Sequence, residues 1–436
     1  MIKYFKFFFN RDREIQKIIY NISWLFFDKM LKYTVGIIVM IWLARYLGPE
    51  RYGVYSFAIA FTALFGALAS LGLNNIVVRE LVNHPEKKNE LLGSTFIMMI
   101  TSGFVAVLIT TTAIFLMRPE DTLSILMVFI ISLSYVFFSF RSIIYYFESR
   151  VESKYVVIGT NSAFIISSIV KVFLILTNQG LIPFALVALL EAVLIAVALV
   201  VIFYKQGHSI LNWNWDRETA VSLLKDSYPL MFSGIMIVIF MKIDQVMLRQ
   251  MVSDTEAGLY AAAVQISEIW FFIPIIIKVS IFPNINNSST DEELYKKMED
   301  LFKVMVIFSL IIIIPTSLFS SQIVNLLFGL DYIKTGPILA ISIWTLLFTS
   351  LGIAKGAFII TKNYVKQSFY FTTIGAVVNV SLNFFLLPKY GGIGAAIATI
   401  ISVAISVYFS NFLFPPLFKL GKIMTRTLFL TNMIKR

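Results

Sequence analysis

Three charged residues, Asp28, Lys29 and Lys32, lie inside a long apolar stretch near the start of the chain. A charged side chain near the centre of a bilayer costs about 2.5 to 3.5 kcal/mol, so each needs an ion partner, a water-filled cavity or a route to the interface. Asp28 and Lys32 are one helical turn apart, whereas Lys29 lies about 100° round the helix from Asp28. We therefore predict an Asp28–Lys32 ion pair and a Lys29 side chain that faces a water-filled cavity.

Other apolar stretches also contain charged and polar residues. Lys242 and Asp244 are two positions apart, which places them about 200° apart on a helix, so they cannot pair with each other within it. Gln265 and Glu268 share one helix face at i, i+3, and Glu191 lies in an earlier stretch. Carboxylates at membrane depth are typical of proton and sodium pathways. The candidate ion-coupling residues are Asp28, Asp244, Glu268 and Glu191.

A second group of basic residues lies closer to the ends of the apolar stretches. Arg141, Lys278 and Lys355 stand about four to six residues from an end, so we expect their side chains to reach the interface by snorkelling. Lys171 is expected to snorkel in the opposite direction. Gly352 and Gly356 form a Gly-x-x-x-Gly pattern around Lys355, which favours a close helix contact.

The composition identifies the environment of these charges. Hydrophobic residues make up 58% of the 436 residues, charged residues 14%, and the mean hydropathy is +0.83, which excludes an ordinary water-soluble fold. The chain has no Cys, and its two His residues, His84 and His208, fall in polar connections, so no disulfide, metal site or cofactor is expected. The net charge of +11 comes largely from Lys and Arg beside apolar stretches, where lipid headgroups rather than nucleic acid are the expected partners. No Gly-x-x-x-x-Gly-Lys-Ser/Thr loop is present and the predicted external connections are short, so we do not expect an enzyme.

The apolar stretches predict an all-α polytopic membrane protein with about twelve transmembrane helices, because a bilayer core of about 30 Å needs roughly 20 apolar helical residues. The predicted spans lie near 20–44, 54–73, 91–116, 122–147, 155–177, 181–204, 228–250, 258–282, 301–320, 336–361, 367–387 and 393–416. The predicted domains are a cytoplasmic interfacial segment (1–19), an N-terminal six-helix bundle (20–204), a cytoplasmic linker (205–227), a C-terminal six-helix bundle (228–417) and a basic cytoplasmic tail (418–436).

Lys and Arg gather in both terminal segments and on every second connection between the predicted spans. By the positive-inside rule these parts lie in the cytoplasm, so we predict a multi-pass protein of the cytoplasmic membrane with both termini inside. The Lys- and Phe-rich start of the chain is predicted to be an interfacial anchor, because no small-residue cleavage pattern of a signal peptide follows.

Both halves contain the same short motif between their first and second spans. Gly53-Val54-Tyr55-Ser56-Phe57-Ala58 is matched by Gly258-Leu259-Tyr260-Ala261-Ala262-Ala263. Because six spans is an even number, two homologous bundles would share one orientation in the membrane. This is the parallel-repeat plan of some secondary transporters, whose halves rock around a site between them.

Three stretches of the chain resemble a known family of membrane proteins. They are Ala44-Arg45-Tyr46-Leu47-Gly48-Pro49-Glu50-Arg51-Tyr52-Gly53, Asp244-Gln245-Val246-Met247-Leu248, and Asn379-Val380-Ser381-Leu382-Asn383 with the following Leu387-Pro388-Lys389-Tyr390-Gly391. They resemble the polysaccharide transport family, the Wzx-type flippases of O-antigen and other oligosaccharides. That family lies in the multidrug/oligosaccharidyl-lipid/polysaccharide exporter superfamily. The resemblance covers nearly the whole chain and identifies the family better than the substrate.

The resemblance implies a substrate and partners. The substrate would be an oligosaccharide repeat unit linked to a polyprenyl pyrophosphate, moved across the membrane by alternating access. An excess of basic over acidic residues within the spans suits such an anion. The candidate pyrophosphate-binding residues are Lys29, Lys32 and Lys242. The implied partners are membrane lipids, H+ or Na+ as a coupling ion, and polymerase or assembly proteins.

Three alternatives remain open on the sequence alone. An ion-coupled exporter of cationic drugs would prefer an acidic interior. A lipid II flippase of the same superfamily usually carries fourteen spans rather than twelve. A membrane scaffold without transport activity would be insensitive to changes in the intramembrane charges.

Overall fold

The structure is a computed structural model that describes residues 13–429. All regular elements within that range are helical, and ten stretches of it are long and apolar enough to cross a membrane. Two of these ten are interrupted by a glycine with non-helical backbone angles, so each of the two corresponds to two predicted spans. The described part of the chain therefore confirms the prediction of an all-α polytopic membrane protein with about twelve spans. The predicted interfacial segment lies largely outside it.

The first helix, α1 (Arg13–Ser70), shows why a glycine break is needed. Its 58 residues would extend about 87 Å if straight, nearly three times the thickness of a bilayer core. Gly48 has φ +69° and is followed by Pro49, which lacks the N–H that a continuous helix requires. The chain therefore turns at Gly48, and the two arms of α1 match two predicted spans.

The described chain folds as two compact units, and the first contains residues 61–235 together with the described residues up to Leu43. Its core buries Leu73, Phe147, Leu199 and Phe203. Besides part of α1, its helices are α2 (Asn74–Asn83), α3 (Lys88–Met117), α4 (Thr122–Ser132), α5 (Arg141–Ser149), α6 (Ser153–Leu176), α7 (Leu181–Lys205) and the first part of α8 (Arg217–Met251).

Helix α8 begins inside the connection predicted at 205–227. Asp216 precedes its first residue, and one Asp216 carboxylate oxygen accepts a hydrogen bond from the backbone N–H of Thr219 at 2.7 Å. An aspartate in this position satisfies one of the unpaired N–H groups at a helix start. The predicted linker is therefore helical from Arg217 onward.

The second unit contains Ala44–Ala60 and the described chain from Met236 onward. Its core buries Phe302, Leu346, Phe358 and Met424. Its helices are the last part of α8, α9 (Asp254–Glu268), α10 (Phe272–Asn286), α11 (Asp291–Leu318), α12 (Ser320–Phe328), α13 (Thr335–Ser342), α14 (Thr345–Thr361), α15 (Val365–Val407) and α16 (Phe418–Leu428). Helix α15 is broken at Gly391, and the neighbouring Gly392 N–H donates to the Glu256 carboxylate at 2.9 Å.

Residues 44–60 pack within the second unit, although the predicted N-terminal bundle includes them. A Cβ placed on Gly53 would overlap the carbonyl oxygen of Asp254, and a Cβ on Gly258 would overlap that of Pro49. Each carbonyl lies one helical turn before the glycine of its own motif copy. The two copies of the repeat therefore contact each other reciprocally through their glycines, and the Tyr52 hydroxyl adds a 3.0 Å hydrogen bond to the Gln265 side chain.

Candidate functional site

A cavity of about 420 Å³ lies within the second unit. Residues of α8, α9, α13, α14 and α15 line it, and most of its wall is apolar. Its polar lining includes Asp244, Glu268, Lys355, Ser368, Thr399 and Ser406. A mostly apolar cavity with a few convergent polar groups is the usual form of a ligand site.

Asp244 forms the centre of a buried polar cluster beside this cavity. The residue is only 2% exposed. One carboxylate oxygen accepts from the Tyr260 hydroxyl at 2.6 Å and the Thr399 hydroxyl at 2.5 Å, and the other accepts from the Asn383 amide at 2.5 Å. The same Asn383 amide donates to Asn379 at 3.1 Å. Neutral donors alone therefore surround this carboxylate within the described residues.

Lys242 has a different partner from Asp244. Its ammonium group lies 3.5 Å from the Glu268 carboxylate, which forms an ion pair between helices α8 and α9. The prediction that Lys242 and Asp244 do not pair with each other is confirmed, because each has a different partner.

The prediction that the Lys355 side chain snorkels to the interface is wrong. The residue is only 5% exposed, and its ammonium group donates to the Val407 carbonyl at 3.1 Å and the Ser410 hydroxyl at 2.9 Å. The ammonium also lies 4.7 Å from the centre of the Phe371 ring. The side chain is held inside because α14 and α15 pack closely here: a Cβ on Gly352 would lie 2.8 Å from Val407.

The first unit holds the predicted pair of Asp28 and Lys32. Their charged atoms are 2.6 Å apart, and Lys32 also donates to the Thr160 hydroxyl at 3.3 Å. The predicted pairing is confirmed. Lys29 is exposed and has no hydrogen bond or ion pair with any residue whose side chain the structure describes.

Glu191 also lies in the first unit and is paired. Its carboxylate accepts a 2.7 Å hydrogen bond from the Ser167 hydroxyl and lies 3.7 Å from the Lys171 ammonium. The carboxylate on the neighbouring helix α7 thus gives Lys171 an ion partner that the prediction of snorkelling did not include.

The structure thus gathers Lys242, Asp244 and Glu268 with Lys355 in the second unit, and it places the remaining candidates in the first. Sequence reasoning missed the roles of Asn379 and Asn383 because an amide carries no charge. Two asparagines one helical turn apart within an apolar stretch are the signal that could have identified them.

A helical membrane protein that encloses a cavity between its spans and keeps buried charges beside it has the construction of a secondary transporter. Within that class, residues 18–289 match the family described as polysaccharide biosynthesis protein. This match covers more than half of the chain, so the chain belongs to that family.

Two relatives match nearly the whole chain. The capsular polysaccharide biosynthesis protein CapF of Staphylococcus aureus is 22% identical over 89% of this chain and 98% of its own length. A putative O-antigen transporter of Shigella flexneri is 22% identical over 91% of this chain and 97% of its own length.

Solved structures show the same fold. The lipid II flippase MurJ in an inward closed conformation has a TM-score of 0.71 and 17% identity, and the match covers 96% of this chain and 92% of that one. An inward-facing multidrug resistance transporter of the MATE family has a TM-score of 0.70 and 13% identity, with 89% and 96% covered. At these identities the similarity establishes the fold and leaves the substrate open.

Proposed function

We propose that this chain is a flippase that moves polyprenyl-pyrophosphate-linked oligosaccharide repeat units from the inner to the outer leaflet of the cytoplasmic membrane, for surface polysaccharide biosynthesis. The observation that carries the proposal is the match along about nine-tenths of the chain to relatives named for capsular polysaccharide and O-antigen transport. The substrate leaves chemically unchanged, so the proposed role is transport rather than catalysis. Both termini would lie in the cytoplasm, and polymerase or assembly proteins would receive the product.

The proposed pyrophosphate contacts are Lys29, Lys32 and Lys242. Lys29 is exposed, whereas Lys32 and Lys242 are held by Asp28 and Glu268 in the described state. A pyrophosphate that binds Lys32 or Lys242 would exchange an internal ion pair for one with the substrate. The ammonium group would then have a negatively charged partner both before and after the substrate binds.

The proposed coupling site is Asp244, with Asp28, Glu191 and Glu268 as further candidates. Each of these other three carboxylates lies within 3.7 Å of a Lys, whereas Asp244 has only neutral donors among the described residues. The Asn383 side-chain oxygen beside it is buried and accepts no hydrogen bond within the described part of the chain. A carboxylate with adjacent amide and hydroxyl oxygens is suited to a proton or to a hard cation such as Na+.

Reconstitution tests this proposal. The purified chain in liposomes should accelerate translocation of a lipid-linked oligosaccharide, and a Na+ or pH gradient should increase the rate further. Asp244→Asn should lose the effect of the gradient. Asp300→Asn, which changes an exposed carboxylate on α11, is the matched control and should behave as the wild type. Translocation of a cationic dye in place of the oligosaccharide would instead support the drug-exporter alternative.

A further inference from the structure

We propose that Lys355 and Lys278 form an anion-binding site at the cavity of the second unit, and that this site contacts the pyrophosphate group of the lipid-linked substrate in addition to the contacts proposed for Lys29, Lys32 and Lys242. The inference rests on the proposed function and deepens it, because it assigns a contact to residues that the charge pattern alone predicts to snorkel.

Lys355 lines the cavity and has no carboxylate partner among the described residues. An ammonium group has three protons to donate, and the two acceptors it has here, the Val407 carbonyl and the Ser410 hydroxyl, are both neutral. Its side chain makes no ion pair with a carboxylate anywhere in the described part of the chain. Val407 is the last residue of α15, and the partial negative charge at a helix C-terminus explains how the ammonium is tolerated without a carboxylate.

Lys278 on α10 has its ammonium group beside Gly356, the residue that follows Lys355. Its nitrogen lies 3.3 Å from the position that a Cβ on Gly356 would occupy. Gly356 lines the cavity and directly follows Lys355. The Lys278 side chain is half-buried and, like that of Lys355, has no carboxylate partner among the residues described. The missing side chain at Gly356 leaves the space that this ammonium group uses.

These two lysines differ from the other candidate, Lys242, in the same unit. Lys242 must leave Glu268 before it can bind an anion, whereas Lys278 and Lys355 have no ion pair to break among the described residues. The hydroxyls of Ser368, Thr372 and Ser406 also line the cavity and can donate to phosphate oxygens. Two cations with nearby hydroxyl donors are suited to a pyrophosphate, and the apolar wall is suited to the first isoprene units attached to it.

Binding measurements on the purified full-length chain test the site, with farnesyl pyrophosphate as probe and farnesol as its uncharged counterpart. Lys355→Gln should weaken farnesyl pyrophosphate binding about tenfold or more, because a charge-assisted contact is lost, and should leave farnesol binding unchanged. Lys278→Gln should have a smaller effect in the same direction, because Lys278 is less buried. Lys303→Gln is the matched control, since Lys303 pairs with Glu299 at 2.7 Å outside the cavity lining and should keep wild-type binding.

A second variant separates anion binding from a purely structural role of Lys355. Ser410→Ala removes one of its two hydrogen-bond acceptors and keeps the charge. If Lys355 acts only by holding the end of α15, Ser410→Ala should reproduce part of the binding loss; if it contacts the anion, binding should stay at the wild-type level. Inorganic pyrophosphate and vesicles of anionic phospholipid, used as competitors, distinguish a site for pyrophosphate from a general phosphate-headgroup site.

The outcomes also separate this inference from the proposed function. Wild-type pyrophosphate binding in Lys355→Gln and Lys278→Gln, with oligosaccharide translocation intact in both, would overturn the site and leave the flippase proposal standing. Failure of the wild-type chain both to bind farnesyl pyrophosphate and to translocate the oligosaccharide would overturn both.

Discussion

Replacing Gly258 with alanine should force apart the two copies of the repeat motif. A Cβ at this position would lie 2.9 Å from the Gly53 nitrogen and overlap the Pro49 carbonyl oxygen, whereas an ordinary non-bonded contact is about 3.5 Å. Both atoms belong to the backbone, so no side chain can rotate away. The helices must separate by more than about 0.5 Å, and overpacking of this kind costs about 1 to 3 kcal/mol.

Thermal unfolding of the purified full-length chain measures this cost. Gly258→Ala and Gly53→Ala should each lower the apparent Tm, and the double variant should lose less than the sum of the two, because the first alanine already opens the shared contact. Gly36→Ala is the matched control: its Cβ would meet only the Phe164 ring at 3.6 Å, an ordinary contact. A Gly258→Ala protein as stable as Gly36→Ala, or strict additivity of the two motif variants, would contradict the reciprocal contact.

Three further predictions concern charged or titratable groups. Asp28→Asn should destabilise the protein by about 1 kcal/mol or more, since Lys32 is left without its carboxylate, and a second change, Lys32→Gln, should recover part of the loss in Tm. Asp244→Asn should remain folded, because its oxygen can accept from Tyr260 and its new NH2 group can donate to the Asn383 oxygen once that amide turns over, yet it should lose gradient-driven transport. Full coupling in this variant would exclude Asp244 as the coupling site. Burial, with the nearby charges of Lys88 and Arg150, lowers the pKa of His208. The unfolded state therefore binds more protons than the folded state below about pH 6.5. As the pH is lowered through this range, the Tm of the wild type should decrease more steeply than the Tm of His208→Gln.

Local spacing predicted the interactions that lie within one helix. Asp28 and Lys32 are one turn apart, and their pairing follows from helix geometry alone. Lys242 and Asp244 were correctly expected to have separate partners for the same reason. The apolar lengths predicted about twelve spans, and the glycine breaks at Gly48 and Gly391 explain why the structure joins some of them into longer helices.

Spacing along the sequence could not predict contacts between residues of different helices. The depth of Lys355 in its span gives its distance from the interface, but not the helix end that accepts its hydrogen bonds. Lys171 lies near an end of α6, and only tertiary packing reveals Glu191 opposite it on α7. The repeat motif was visible at Gly53 and Gly258, whereas the reciprocal packing of its copies depends on the arrangement of helices within the second unit.

The measurement that tests the central claim most directly is the leaflet position of the lipid-linked oligosaccharide in a strain that lacks this chain. An impermeant glycan-modifying enzyme reports which units are exposed at the outer surface. The flippase account predicts that unpolymerised units accumulate where the enzyme cannot reach them, and that the wild-type gene restores their exposure. Normal exposure of these units in the deletion strain would contradict the account.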